Sequence, residues 1–362
     1  MKYVRSIFFL LYFNYADGFY LGKIDSRSTC RKRDSIEHCY GKVMPVTITP
    51  TKLNMVATVA KPGDDRCSER EIISRPRRPL GKIVTSLFRW IFWVIGSWVV
   101  KWRNKTYIHD ENHNLRYFLE KKDNQGIITF SNHISIFDDP GIWIGMFKFK
   151  TLTLKFLRSI VMEESWYWAL GKFSASIFRG LNCIPIKRGD IRALQCPALR
   201  EIYDRLNGKD EKNGNRREHV HLMIEGKINQ HWRFTSESPR FGKFRKGTAK
   251  LIACSPPKQT LVIPIYHTGL DKVFPEEKPE GYQHNDRLIG TTKSFWPRKG
   301  KRIDIYIGDP IDFSDMVPQD GYQFDQQIDK SLLDAINQKL FERMLQLDNI
   351  AKEREERENS HT

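Results

Sequence analysis

With 362 residues, the chain has room for one large domain or two modest ones, and a sizeable core is within its reach. Its formal charge of +17 and isoelectric point near 9.5 call for an anionic partner, and charge alone leaves nucleic acid and an anionic lipid surface both open. The 9 Trp, 22 Phe and 13 Tyr favour the lipid surface, because many sit inside apolar runs. No zinc-finger spacing or basic recognition helix speaks for nucleic acid. Cys30, Cys39, Cys67, Cys183, Cys196 and Cys254 stand apart, without a CxxC pair or a His at ligand spacing. That argues against a metal site and against a disulfide framework.

In chain order, residues 1–79 read as a poorly ordered or targeting leader. Lys2 and Arg5 precede the apolar stretch Ile7 to Phe13, but no small-residue cleavage site follows, and basic clusters at Arg31 to Arg33 and Arg75 to Pro79 close the segment. Residues 80–103 form an apolar, aromatic segment carrying Trp90, Trp93, Trp98 and Trp102, with Arg89 inside it. From Ile83 to Val100 it barely reaches the length of a bilayer span, and a mid-span charge costs on the order of 3 kcal/mol. The expectation is a helix lying in one leaflet, with Arg89 snorkelling to water. Part of a second apolar region, Leu152 to Leu181, is expected to lie there as well.

Beyond this the pattern alternates strand-like and helix-like segments, which predicts an α/β fold. Strands are expected at Thr106–His109, Gly126–Phe130, Cys183–Lys187, His219–Ile224, Leu261–His267 and Arg302–Gly308. Helices are expected at Ile142–Phe149, Arg192–Leu206, Lys246–Ala253 and Phe324–Lys352, so that residues 324–362 make a C-terminal helix and charged tail. Asn207–Arg217 and Glu276–Lys301 read as surface loops.

The segment Ser131 to Pro140, SNHISIFDDP, follows an apolar strand. Asp139 suits an N-cap and Pro140 a first helical position, which makes the preceding residues a strand-to-helix loop. On a continuous helix His133 and Asp138 would point about 140° apart, so only such a turn lets them meet. A carboxylate on one imidazole nitrogen fixes the tautomer and leaves the other nitrogen to take a proton from a hydroxyl. The competing reading makes Ser135 and Asp138 a capping box. Further along, CIPIKRGD ends a short strand with Lys187 and Arg188, suited to a lipid phosphate. HVHLMIEGK ends in Glu225, Gly226 and Lys227; Gly226 would allow close backbone approach, and Glu225 would hold a glycerol hydroxyl or pair with Arg188. LVIPIYHTG carries Pro264 inside an apolar strand, which suggests an edge or a bend.

Taken in order, these four blocks resemble the glycerolipid acyltransferase family: a His-x4-Asp block, a strand with a substrate-binding Arg, a Glu-Gly block and a late Pro block. The match covers roughly Lys82 to Asp312 and departs in one place, where Met223 and Ile224 precede Glu225 instead of Phe-Pro. The resemblance implies a mixed sheet flanked by helices, an acyltransferase domain over residues 104–323, and His133 and Asp138 as catalytic residues. It implies substrate contacts at Arg188, Gly189, Glu225, Gly226 and Pro264. Within the family, the doubled aspartate before Pro140 and the Glu-Gly-Lys-x-Asn form of Glu225 to Asn229 point to members that move acyl chains between phospholipids without CoA. For those the expected partners are phosphatidylcholine, monolysocardiolipin and cardiolipin, with no cofactor. The expected location is a mitochondrial membrane, entered from one side and facing the intermembrane space. The rival expectations are an acyl-CoA-dependent lysophospholipid acyltransferase and a catalytically silent membrane scaffold.

Overall fold

A seven-stranded sheet forms the frame of the computed structural model, which describes residues 82–148, 158–168, 171–186, 196–209, 216–235, 237–280, 291–292 and 296–360. All of these lie in one unit, Pro76–Thr362. The leader, the Arg188 loop and most of Leu152 to Arg158 fall outside the described residues.

The chain enters through helix α1, Lys82–Ser97, which passes into a π-helical turn at Trp98–Trp102. It then forms β1 (Lys105–His109), β2 (Gly126–Ser131), helix α2 (Asp138–Met146), β3 (Arg158–Glu163), helix α3 (Gly171–Gly180) and β4 (Cys183–Ile186). Helix α4 (Pro197–Leu206), β5 (His219–Met223), helix α5 (Lys246–Ala253), β6 (Thr260–Thr268), a small ribbon of β7 (Glu276–Glu277) and β8 (Thr291–Thr292), β9 (Arg302–Ile307) and helix α6 (Lys330–Asn359) complete it. The sheet order is β1-β9-β6-β2-β5-β3-β4, with every neighbouring pair parallel except β6 and β9.

β2 is buried along its whole length between β5 and β6, and its alternating residues feed two cores. Ile128 and Phe130 join the larger one under α4, α5 and α6, while Ile127 joins the one beneath Val99, Trp143 and Phe147. The run is apolar because helices cover both faces. β2, β5 and β6 all point the same way, so the loops after Ser131, Met223 and Thr268 gather at one edge. In parallel sheets ligands bind at this carboxyl edge.

Four expectations are corrected. The region Leu152 to Leu181 contains β3, which pairs with β4 and β5, so residues 158–163 belong to the sheet and not to a leaflet. Pro264 lies in an internal strand, between β2 and β9. The fold tolerates it there because the β6–β9 ladder begins only at Ile265, and Pro264 contributes its carbonyl, accepting from Gly308 N at 3.0 Å, where no N–H is needed. The last helix starts at Lys330 and continues through the charged tail to Asn359. The loop from Glu276 holds the β7–β8 ribbon. No helix among the described residues is long and apolar enough to cross a membrane. Arg89 also has a protein partner: its Nε and Nη2 donate to Gly180 O at 2.9 and 2.7 Å, closing the carboxyl end of α3.

Candidate active site

The loop from Asn132 to Phe137 brings His133 and Asp138 together. Asp138 opens α2, two positions earlier than expected; Asp139 instead accepts from Trp143 Nε1 at 3.1 Å, and Pro140 is the third helical residue. A single oxygen of Asp138, Oδ2, faces His133 Nδ1 at 2.9 Å and accepts from Ile134 N at 2.7 Å and Ser135 N at 2.8 Å. Ser135 Oγ in turn accepts from Phe137 N at 3.2 Å. Only half of the capping-box reading is formed: Asp138 reaches back to Ser135 N, but Ser135 Oγ serves Phe137 N and the helix N-cap is Phe137, so the carboxylate that closes the turn chiefly holds the imidazole. The helix N-terminus favours its negative charge. Asp138 is wholly buried while the His133 side chain is 17% exposed, so with Nδ1 engaged, Nε2 is the imidazole nitrogen left to act on a substrate.

Behind the pair stands His267, fully buried. Asn132 clamps it: Asn132 Nδ2 donates to His267 O at 2.9 Å and Asn132 Oδ1 accepts from His267 N at 3.0 Å. His267 Nε2 lies 3.1 Å from Asn132 O and 3.8 Å from Asp138 Oδ1, the carboxylate oxygen with no hydrogen-bond partner. Burial holds the His267 pKa below its ordinary value, so a neutral ring with its proton on Nε2 faces Asp138.

Glu225 is turned inward and 1% exposed. Its Oε1 accepts from His133 N at 2.8 Å, and Oε2 accepts from Gly242 N at 2.6 Å and from Asn229 Nδ2. Asn229 N donates to His133 O at 2.6 Å. The Glu-Gly block thus braces both backbone groups of His133. Burial pushes the Glu225 pKa up to about 7 although its three N–H partners pull it down. Gly226 takes a φ of +65°, and the close approach there is made by the Arg245 side chain, whose Cγ would lie 3.2 Å from an added Cβ. Gly269 ends β6 at φ +89°, where a Cβ would stand 2.0 Å from Arg302 O.

Of the expected site residues, His133, Asp138, Glu225 and Gly226 meet at the carboxyl edge. Pro264 is buried within the sheet, while Arg188 and Gly189 lie outside the described residues. Sequence reasoning missed His267, Asn229, Gln230, Arg233 and Arg245. Asn229 and His267 lie inside recognised blocks and Gln230 directly follows one, which does not tell a scaffold residue from a working one, and Arg233 and Arg245 carry no local signal. Lys227 and Arg245 are exposed, and burial together with Arg233 and Arg245 depresses the Lys227 pKa, which marks an electropositive rim. Among the described residues, no group of three His, Cys, Asp or Glu is arranged to hold a metal ion.

Comparison with known proteins agrees with this geometry. Residues 99–268 match the acyltransferase family. The N-acylphosphatidylethanolamine synthase of Arabidopsis thaliana is 31% identical over 211 residues, 58% of this chain and 64% of that protein. Tafazzin of Drosophila melanogaster is 24% identical over 226 residues, covering 62% and 50%, and taffazin of Dictyostelium discoideum is 28% identical over 199 residues, covering 51% and 54%. The chain thus spans half to just under two thirds of the length of these relatives. The matched residues include the dyad loop, the Glu-Gly block and His267 of β6, and across them the chain is similar to this acyltransferase family and, among its relatives, to the tafazzins.

Proposed function

We propose that this chain is a CoA-independent transacylase that moves an acyl group from a phospholipid to a lysophospholipid, with phosphatidylcholine as a donor and monolysocardiolipin as an acceptor. The observation that carries this reading is the His133–Asp138 pair, buried at its carboxylate end and open at its imidazole end. His133 Nε2 removes the proton from the acceptor hydroxyl, and Asp138 holds the tautomer and offsets the charge on the imidazolium that forms. The alkoxide adds to the donor carbonyl; the tetrahedral intermediate collapses, and the departing lysolipid oxygen takes the proton back from His133. Glu225 and Asn229 position His133, and Lys227 and Arg245 hold lipid phosphate, a role that the family resemblance also gives to Arg188. Product and substrate esters are close in free energy, so holding both lipids side by side suffices to drive exchange without a thioester. A mitochondrial membrane facing the intermembrane space is the location this reading implies.

A second reading is favoured by the 31% identity to the Arabidopsis synthase: the acceptor is then the amine of phosphatidylethanolamine. One incubation separates the readings. Purified protein receives radiolabelled phosphatidylcholine with monolysocardiolipin and phosphatidylethanolamine in vesicles free of CoA. Labelled cardiolipin is the expected product; labelled N-acylphosphatidylethanolamine selects the second reading. Label transfer only from added acyl-CoA would overturn CoA independence and leave the dyad in place.

A further inference from the structure

Asp348 is a wholly buried carboxylate on α6, a helix outside the residues that match the acyltransferase family. Its Oδ1 accepts from Arg240 Nε at 2.7 Å and from the Tyr266 hydroxyl at 2.8 Å. Its Oδ2 accepts from Arg240 N and pairs with Lys352 Nζ, both at 3.2 Å. Burial raises the Asp348 pKa, but the hydrogen bonds from Arg240 and Tyr266 outweigh it and hold the group below its ordinary value, so it stays charged. A buried ion pair of this kind is worth little more to stability than apolar packing of the same volume. What it contributes is therefore sought in the geometry it fixes.

Two arms lead from this carboxylate to the dyad. Arg240 lies in the loop before α5, and two residues on, Gly242 N donates to Glu225 Oε2 at 2.6 Å, while Glu225 Oε1 accepts from His133 N. The loop sits directly on that brace: a Cβ on Gly242 would stand 2.8 Å from Asn229 Nδ2 and 2.9 Å from Glu225 Oε2. Between Arg240 and Gly242, Phe241 packs on Phe341 of α6, with ring centroids 5.1 Å apart. The second arm is β6. Tyr266 turns toward α6, and because side chains alternate along a strand, His267 turns to the opposite face, where its Nε2 lies 3.8 Å from Asp138 Oδ1. One arm thus ends on the backbone of His133 and the other beside the carboxylate that holds its ring. A misplacement of about 1 Å at a reacting group costs on the order of 10² in rate.

We propose that Asp348 is a positioning residue for the dyad: from the last helix it fixes the loop that carries Gly242 and the strand that carries His267, and through them His133 and Asp138. This rests on the dyad of the transacylase reading and adds to it a reason for α6 to be joined to the catalytic sheet by a buried charge.

The test compares full-length wild type with Asp348→Ala and with Met344→Ala, which loosens the same helix one turn earlier through its wholly buried apolar packing. Transfer from radiolabelled phosphatidylcholine to monolysocardiolipin is measured below the melting range of every variant. Asp348→Ala is expected to lower kcat about tenfold to a hundredfold with KM for both lipids unchanged, and Met344→Ala to keep the wild-type kcat. Combined with Glu225→Gln, Asp348→Ala should lower kcat by less than the product of the two separate losses, because one arm ends on Glu225. Hydrogen exchange should quicken in peptides covering 131–137 and 238–245 of Asp348→Ala, beyond any change in Met344→Ala, while the β5 peptide stays protected. Wild-type kcat in Asp348→Ala, an equal loss in Met344→Ala, or losses that multiply with Glu225→Gln would overturn the proposal. If Asp348→Ala fails to fold, Asp348→Asn, which keeps the size and one acceptor oxygen, is judged by the same comparisons. Absence of transfer by wild type would remove the transacylase reading, and the exchange at 131–137 would still decide whether Asp348 holds the dyad loop.

Discussion

His133 owes its orientation to contacts made on three sides: Asp138 at the ring, Glu225 at its N–H and Asn229 at its carbonyl. Removing the ring in His133→Ala is expected to lower the acyl-transfer rate by about 10² to 10⁴, with vesicle binding intact, because the general base contributes that much and touches no membrane surface. Asp138→Asn is expected to fall in the same range, since an amide cannot offset an imidazolium. Glu225→Gln is the sharper probe. Three N–H donors converge on the two carboxylate oxygens, so whichever way the amide is turned, its NH₂ faces a donor. A loss of on the order of tenfold or more in kcat, with folding retained by circular dichroism, is the expected result; wild-type kcat would show that the brace does not matter. Glu225 also sets a pH dependence. Its folded pKa, raised to about 7, lies above the unfolded value of 4.5, so its own contribution to stability is fullest below about pH 4.5 and is lost as pH rises through 7. Glu225→Gln should flatten that part of a Tm-against-pH curve.

At the scale of elements, β6 shows what a sequence displays and what it hides. Pro264 inside an apolar run suggests an edge or a bend, because an interior strand normally needs every N–H. The ladder to β9 begins one residue later, a fact of pairing register that no local pattern records. The six predicted strands all lie in the sheet to within about two residues, since apolar runs bounded by polar turns are local features. β3 escaped because an apolar strand flanked by aromatic helices reads as one long hydrophobic region. The inward turn of Glu225 was equally hidden, as its partners Gly242 and Asn229 are joined to it only by the fold. Gly308 gives the test of this element. A Cβ there would lie 2.7 Å from Pro264 Cγ and 3.3 Å from Leu347 Cδ1. Gly308→Ala is expected to cost about 1–3 kcal/mol in urea unfolding. Adding Pro264→Ala removes the ring that collides, so the double variant should be more stable than the two single losses sum to.

The whole molecule joins a strongly basic chain to a layer of exposed apolar side chains. On α1, Leu87 and Trp90 are 53% and 49% exposed and share a face at i and i+3, and Phe173 of α3 is 57% exposed. Arg89 couples the two helices through Gly180, so the charge that breaks the apolar run is spent on the protein and leaves the outward face apolar. This arrangement suits a lipid interface, where inserted side chains each contribute about 1–2 kcal/mol and basic residues add attraction to anionic headgroups. The combined variant Leu87→Asp with Trp90→Asp should bind cardiolipin-containing vesicles at least tenfold more weakly, measured by co-sedimentation. Its transfer rate on substrates dispersed in detergent should stay near wild type, because neither residue contributes to the dyad. Raising the salt concentration should weaken the remaining binding further, as screening removes what the apolar face no longer supplies. Tags at the two ends should both be digested by protease added to sealed vesicles, since entry from one side leaves both ends on that side. Protection of one tag, or undiminished sedimentation of the double variant, would show that this face is not what meets the membrane.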